Sequence, residues 1–257
     1  MRSDVELAKQ IELKSIIQKS RIPAKLDYIQ SATGLILGLF MWGHMILVSS
    51  ILISKEAMYT ITKFMEGEFI FGEPHPEIVT LTAVFIFGVF ITHALIAIRK
   101  FPGSYKQFRV FREHSKRFKH ADTQLWFVQV VTGFTMFFLG SIHIFVMMVN
   151  SDNIGPYASS DRIVSGWMWP LYLLLLVAVE LHGSIGLYRL CVKWGWFEGK
   201  DAKASRKNLK KLKWGLTAFF MTLGLLSLAA YVKIGLEHMD KVGERYIPVS
   251  KIEKAMK

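Results

Sequence analysis

The chain has a single cysteine, Cys191, in 257 residues. That excludes an internal disulfide and any thiolate cluster able to hold a metal or an iron–sulfur centre within this chain. No glycine-rich fingerprint of the Rossmann type is present, so the chain does not itself bind a flavin or nicotinamide in that way. Acids are scarce, with 20 Asp and Glu against 32 Lys and Arg, for a formal net charge of +12. Charge of either sign is nearly missing from five long stretches: 28–54, 78–98, 123–151, 163–188 (Glu180 the one exception) and 214–232. Each is long enough to cross a bilayer as a helix, which takes roughly 20 residues. With 52% hydrophobic residues and a mean hydropathy of +0.32, the chain reads as all-α and membrane-embedded. Five transmembrane helices are expected at about 28–54, 78–98, 123–150, 167–192 and 213–234. The competing reading, buried helices of a large soluble core, fails on their number and length, because such apolar runs usually stop near 10–14 residues.

The first 25 residues mix acids and bases without a long apolar run and do not read as a signal peptide. There is no repeat of 20 to 50 residues and no low-complexity tract, so residues 1–257 are read as one membrane domain. The net charge is easily mistaken for a nucleic-acid signal, but its distribution argues otherwise. Of the 32 Lys and Arg, 23 fall in the N-terminal segment and in the loops after the second and fourth helices. The positive-inside rule puts those segments in the cytoplasm, which makes the N-terminus cytoplasmic and the C-terminus periplasmic. The basic stretch KDAKASRKNLKKLK is a helical candidate, either a solvated topology signal or a docking site for an acidic partner or anionic lipid. The first outer loop is acidic and amphipathic, suited to lying along the membrane surface.

Of eight histidines, His75, His114, His120 and His238 fall in loops or tails and need no special explanation. The other four, His44, His93, His143 and His182, fall one each in the first four apolar stretches. Ionisable groups are costly in hydrocarbon and default to being functional candidates. Counting from the helix ends places His44 and His143 in the outer half and His93 and His182 in the inner half. The two levels are roughly 10–15 Å apart at 1.5 Å per residue. Two imidazoles at one level make a bis-histidine axial site for haem b, and two levels make two haems stacked across the membrane. Small residues leave room for a flat macrocycle: Gly140 a turn before His143, Ala97 a turn after His93, and Ala178 and Gly186 flanking His182. His44 has only the adjacent Gly43. A histidine-based metal transporter would gather its ligands at one depth with carboxylates; a purely structural anchor would use single polar contacts between helices. Both remain as alternatives.

Four blocks, SRIPAKLDYIQSATGLILGLFMWGHM, FITHALIAIRKFP, TGFTMFFLGSIHIF and WMWPLYLLLLVAVELHGSIGLYRLCVKWGWF, resemble the dihaem cytochrome b subunits of quinol:fumarate reductases. These are the five-helix type of the succinate:quinone oxidoreductase family. The resemblance covers about residues 20–235. It implies His93 and His182 as ligands of the inner haem iron and His44 and His143 as ligands of the outer. It further implies Gln30, Ser31, Trp126 and Lys193 around the inner haem propionates and Arg162 near the outer haem. For Lys193 and Arg162 the alternative is a cation snorkelling to the membrane edge. By resemblance, menaquinol is oxidised here and electrons cross two haems b to an iron–sulfur subunit and a flavoprotein subunit that reduces fumarate to succinate. It also implies a multi-pass protein of a bacterial cytoplasmic (inner) membrane, in contact with lipid and the menaquinone pool, with a dimer of heterotrimers as a further expectation. Glu66, in MEGEFIF, matches the quinol-site acid, with Glu68 as its rival and a solvated loop acid as the bland alternative. Glu180 lies two residues and about 200° from His182, so it faces away from the iron; the resemblance implies a proton relay, and the alternative is a neutral acid bonded to a backbone carbonyl. The same parts serve an anchor of succinate dehydrogenase working in reverse, or an anchor of another membrane dehydrogenase.

Overall fold

In the computed structural model of the protein, residues 21–118 and 121–249 are described, and among them no strand occurs. The helices are α1 (Ile22–Val48, continued by a 3-10 turn Ser49–Leu52), α2 (Lys55–Met65), α3 (Glu68–Phe71), α4 (Pro76–Ile98), α5 (Tyr105–Phe118), α6 (Ala121–Val149), α7 (Pro156–Val164), α8 (Trp169–Trp194) and α9 (Ala202–Glu237). Five are long and apolar enough to cross a membrane: α1 with its 3-10 turn, α4, α6, α8 and α9.

The helix starts follow from local chemistry. Proline occupies the first turn of α1, α4, α7 and α8, where its missing N–H costs nothing. Ser54 caps α2 by accepting from the Ala57 N–H, and Asp201 caps α9 by accepting from Lys203 and Ala204. Gly195, at φ 66°, ends α8 in the left-handed conformation that favours glycine.

Two boundaries differ from the hydropathy reading. The first span starts at Ile22 rather than near 28, and the fifth starts at Ala202 rather than near 213. Hydropathy reports where the solvent changes, whereas the helix continues into water on Lys- and Arg-rich turns that are good helix formers. At 36 residues α9 is about 54 Å long against a core of about 30 Å. Its basic first turns therefore project beyond the hydrocarbon.

The four spans α1, α4, α6 and α8 pack in a closed square: α1 on α4, α4 on α6, α6 on α8 and α8 on α1. The diagonals, α1 to α6 and α4 to α8, are not extensive helix–helix contacts. The fifth span, α9, lies outside the square against α8 and α7. Met41, Met45, Leu176 and Phe220 join α1, α8 and α9 in one apolar cluster. Ile51, Met58, Ile163 and Tyr231 join the 3-10 turn, α2, α7 and α9 in another. One end of the bundle carries α5 and the start of α9, the chain's basic segments; the opposite end carries α2, α3, α7 and the C-terminal segment.

A close approach at that opposite end requires glycine. A Cβ on Gly235 would stand 2.7 Å from the Ser160 carbonyl oxygen and 2.6 Å from Val164 Cγ2, so α9 and α7 touch backbone to backbone. Gly235→Ala should destabilise the protein by about 1–3 kcal/mol, the cost of overpacking a filled interface. Thermal unfolding in detergent checks this, and an unchanged midpoint contradicts it.

Candidate functional site

The four spanning histidines meet across the two diagonals of the square. His44 on α1 and His143 on α6 have ring centroids 6.1 Å apart, with Phe40 stacked on His44 at 5.8 Å and Tyr172 edge-on to His143 at 5.4 Å. His93 on α4 and His182 on α8 are near enough to interact electrostatically. His93 lies beside Thr33 of α1, 3.0 Å from its hydroxyl. His44 is eleven residues further along the same helix, which puts the two levels about 16 Å apart. The structure thus yields two separated pairs, not one cluster. Among the described residues, no group of three or more His, Cys, Asp or Glu could hold a bare metal ion.

The residues present suit haem b. Each diagonal brings two imidazoles near one another, and His143 Nδ1 is buried without a hydrogen-bond partner. The expectation for small residues needs correction. A Cβ at Gly186 would meet Gln129 Nε2 at 3.0 Å, and one at Gly140 would meet Phe90. The glycines that lie against imidazole rings are on the neighbouring helices: Gly34 against His93 and Gly133 against His182, each with a Cβ position 3.0 Å from Cε1. In the square bundle these two rings lean on the adjacent helix rather than on small residues of their own.

The polar groups named from sequence are partly assembled. At the basic end, Lys193 Nζ lies 3.2 Å from Ser31 Oγ and 3.3 Å from Asp27 Oδ2. The same Asp27 binds Arg99 at 2.5 Å and Lys100 at 2.7 Å, a cluster that the sequence did not announce. Gln30 Oε1 is buried there without a partner. Trp126 on α6 packs on Phe101 and Phe127. At the opposite end, Arg162 donates to the Asn153 carbonyl at 2.7 Å and lies near Tyr172, the ring against His143. It opens into a cavity of about 490 Å³ lined by Asn150, Asp161, Arg162 and Gly243 among others.

Glu66 and Glu68 are separated by burial. Glu66 is 1% exposed and accepts from Lys63 Nζ at 2.6 Å, while Glu68 is exposed. Gly67, at φ 80°, ends α2 and turns the two side chains apart. Glu180 is fully buried, and neither carboxyl oxygen has a hydrogen-bond partner. It shares a stripe with Leu176 and Ser184; Leu176 packs on Met45 and Phe220, so this stripe faces the seam with α1 and α9. That agrees with its pointing away from His182.

His238 is not an unremarkable tail residue. It is 5% exposed, stacks on Tyr157 at 4.1 Å, and lies 2.8 Å from Asp161, whose other oxygen accepts from the Gly243 N–H. Beside it, Tyr246 donates to Glu56 at 2.7 Å; burial first, and then that carboxylate, push its hydroxyl up to about 12. These bonds fasten the C-terminal segment over α2 and α7. Their sequence separation, 77 residues for Asp161 and His238, left no local signal. His114 falls in α5, and His120 lies outside the described residues.

The chain matches the family described as succinate dehydrogenase/fumarate reductase transmembrane subunit over residues 106–230. It is 57% identical over 223 residues, 87% of each chain, to the fumarate reductase cytochrome b subunit of Wolinella succinogenes. It is 54% identical over 224 residues, 87% of this chain and 86% of the relative, to the subunit of the same name in each of two strains of Helicobacter pylori.

Proposed function

This chain belongs to the fumarate reductase cytochrome b subunits, a family of membrane anchors, and from that premise we propose that it oxidises menaquinol and feeds the electrons to fumarate reduction. The observation that carries the reading is the set of four half-buried histidines in two diagonal pairs about three helical turns apart. His44 and His143 hold an outer haem b, and His93 and His182 hold an inner one. When bound, the two haems supply one-electron transfer between the two faces of the membrane.

The chain's own residues do the rest. Arg162 at the outer level, and Lys193 with Ser31, Gln30 and Trp126 at the inner, hold anionic propionates by charge-assisted hydrogen bonds. Glu66, buried beside Lys63 at the outer surface, accepts protons from the quinol hydroxyls. Residues 1–257 form one membrane domain of the bacterial inner membrane, N-terminus in the cytoplasm. The basic α5 and the start of α9 then face the cytoplasm, where an iron–sulfur subunit and a flavoprotein subunit dock.

Glu180 carries a proton along the seam of α8 with α1 and α9. Two carboxyl oxygens buried without partners are an uncompensated cost, and a proton-carrying role accounts for retaining them. The Glu180→Gln variant should hold both haems yet alter the membrane potential generated per fumarate reduced in proteoliposomes. An unchanged potential at normal turnover contradicts the relay.

The reading as a whole is tested by purifying the intact complex and driving fumarate reduction with a reduced naphthoquinone. Turnover dependent on this chain supports it. A chain that purifies without soluble subunits, or whose cofactor the quinol does not reduce, opposes it.

A further inference from the structure

Helices α1 and α6 carry the same pattern, Gln-x-x-Thr-Gly, as QSATG at 30–34 and QVVTG at 129–133. In each copy a histidine follows the threonine by eleven residues, His44 and His143. The pattern itself is turned to a different histidine, the one on the neighbouring helix nearer the basic end. Thr33 Oγ1 lies 3.0 Å from His93 Nδ1, and Thr132 Oγ1 lies 3.4 Å from His182 Nδ1. The glutamine backbone joins in at the second copy, where the Gln129 carbonyl is 2.9 Å from His182 Nδ1. The glycine of each copy lets the ring lie against helix backbone, with a Cβ position only 3.0 Å from Cε1.

The other bonds of the two hydroxyls indicate the direction of these. Thr33 donates to the Ile29 carbonyl at 2.8 Å and Thr132 to the Val128 carbonyl at 2.6 Å. A hydroxyl whose one proton is already given to a carbonyl can only accept from Nδ1. Beside His182 the Gln129 carbonyl is an acceptor as well, so in both rings Nδ1 carries the hydrogen and Nε2 offers its lone pair. Acceptors on the far nitrogen make an imidazole a stronger donor to iron and fix its orientation. Nothing comparable holds His143, whose Nδ1 has no partner.

We propose that the two Gln-x-x-Thr-Gly segments are matched seats, with Thr33 and Thr132 as positioning residues that hold His93 and His182 for the inner haem and set its redox potential. This rests on the reading of those two histidines as ligands. Stronger donation favours the ferric state, so removing a hydroxyl weakens donation and raises the potential.

The test uses the complete complex carrying Thr33→Val or Thr132→Val, which keep side-chain volume and lose the acceptor. Optical redox titration and low-temperature electron paramagnetic resonance read the haems directly, without turnover. The expected result is two haems per chain, one titration step moved upward and the other unmoved. At a fixed potential the reduced-to-oxidised ratio of the inner haem should rise about threefold per variant, as loss of part of one hydrogen bond predicts. Thr33→Ser and Thr132→Ser restore the wild-type value. Loss of the inner haem alone in a valine variant, recovered with serine, also supports the seat. Valine variants with two haems and unchanged potentials and resonance signals overturn it, as does an equal shift of both steps. A wild-type complex without haem sinks the ligand reading itself, which separates that failure from failure of the seat.

Discussion

Replacing His182 by alanine leaves one haem b per chain in place of two and stops electron delivery from quinol to fumarate. His182 is one half of the α4–α8 diagonal, and His93 alone offers a single axial ligand. The α1–α6 pair stands about three turns away and shares no side chain with it, so its ligation survives. Loss of a mere outer partner of a ligand costs 10–100-fold in affinity or activity, so loss of the ligand itself should lower quinol-driven fumarate reduction by more than about 100-fold. Fumarate reduction by an artificial reductant that enters at the soluble subunits should persist. Haem content with the two activities decides the matter, and a variant that retains two haems and full quinol turnover removes His182 from its assigned role.

Glu66→Gln should separate cofactor binding from quinol chemistry. Glutamine fills the same buried volume, so the packing of α2 is kept. The partner left behind, Lys63, is 19% exposed and finds water, which limits the structural cost. What disappears is the acceptor of quinol protons, and the quinol-oxidation rate should fall by about 10²–10⁴, the usual contribution of a positioned base. Both haems should remain at full content. The exposed neighbour supplies the control: Glu68→Gln should turn over normally. Normal quinol oxidation by Glu66→Gln, or a loss equal in both variants, would count against Glu66.

The five spans were legible because lipid imposes a long, charge-poor run on every crossing helix. The four histidines were legible for the same reason, as polar residues where polarity is expensive. Their ends were not, because Lys25 and the lysines of 203–213 continue helices into water and look like loop in a hydropathy profile. The pairing of levels was readable from helix direction alone, and the 6.1 Å approach of His44 and His143 agrees with it. The seats of His93 and His182 escaped because their signal is a five-residue pattern recurring after 99 residues, a spacing that belongs to a helical hairpin and its loop. The different burial of Glu66 and Glu68 needed the left-handed turn at Gly67, a matter of backbone geometry. The Asp161–His238 bond and the Asp27 cation cluster are tertiary, and no local periodicity points to them.

The account stands on two pairs of histidines each holding a haem. Purification of the complex from its native membrane, followed by a pyridine haemochrome spectrum quantified against this chain, measures that directly. Two haems b per chain is the predicted result. One haem would leave a diagonal pair without its cofactor, and none would remove all four histidines from their assigned role.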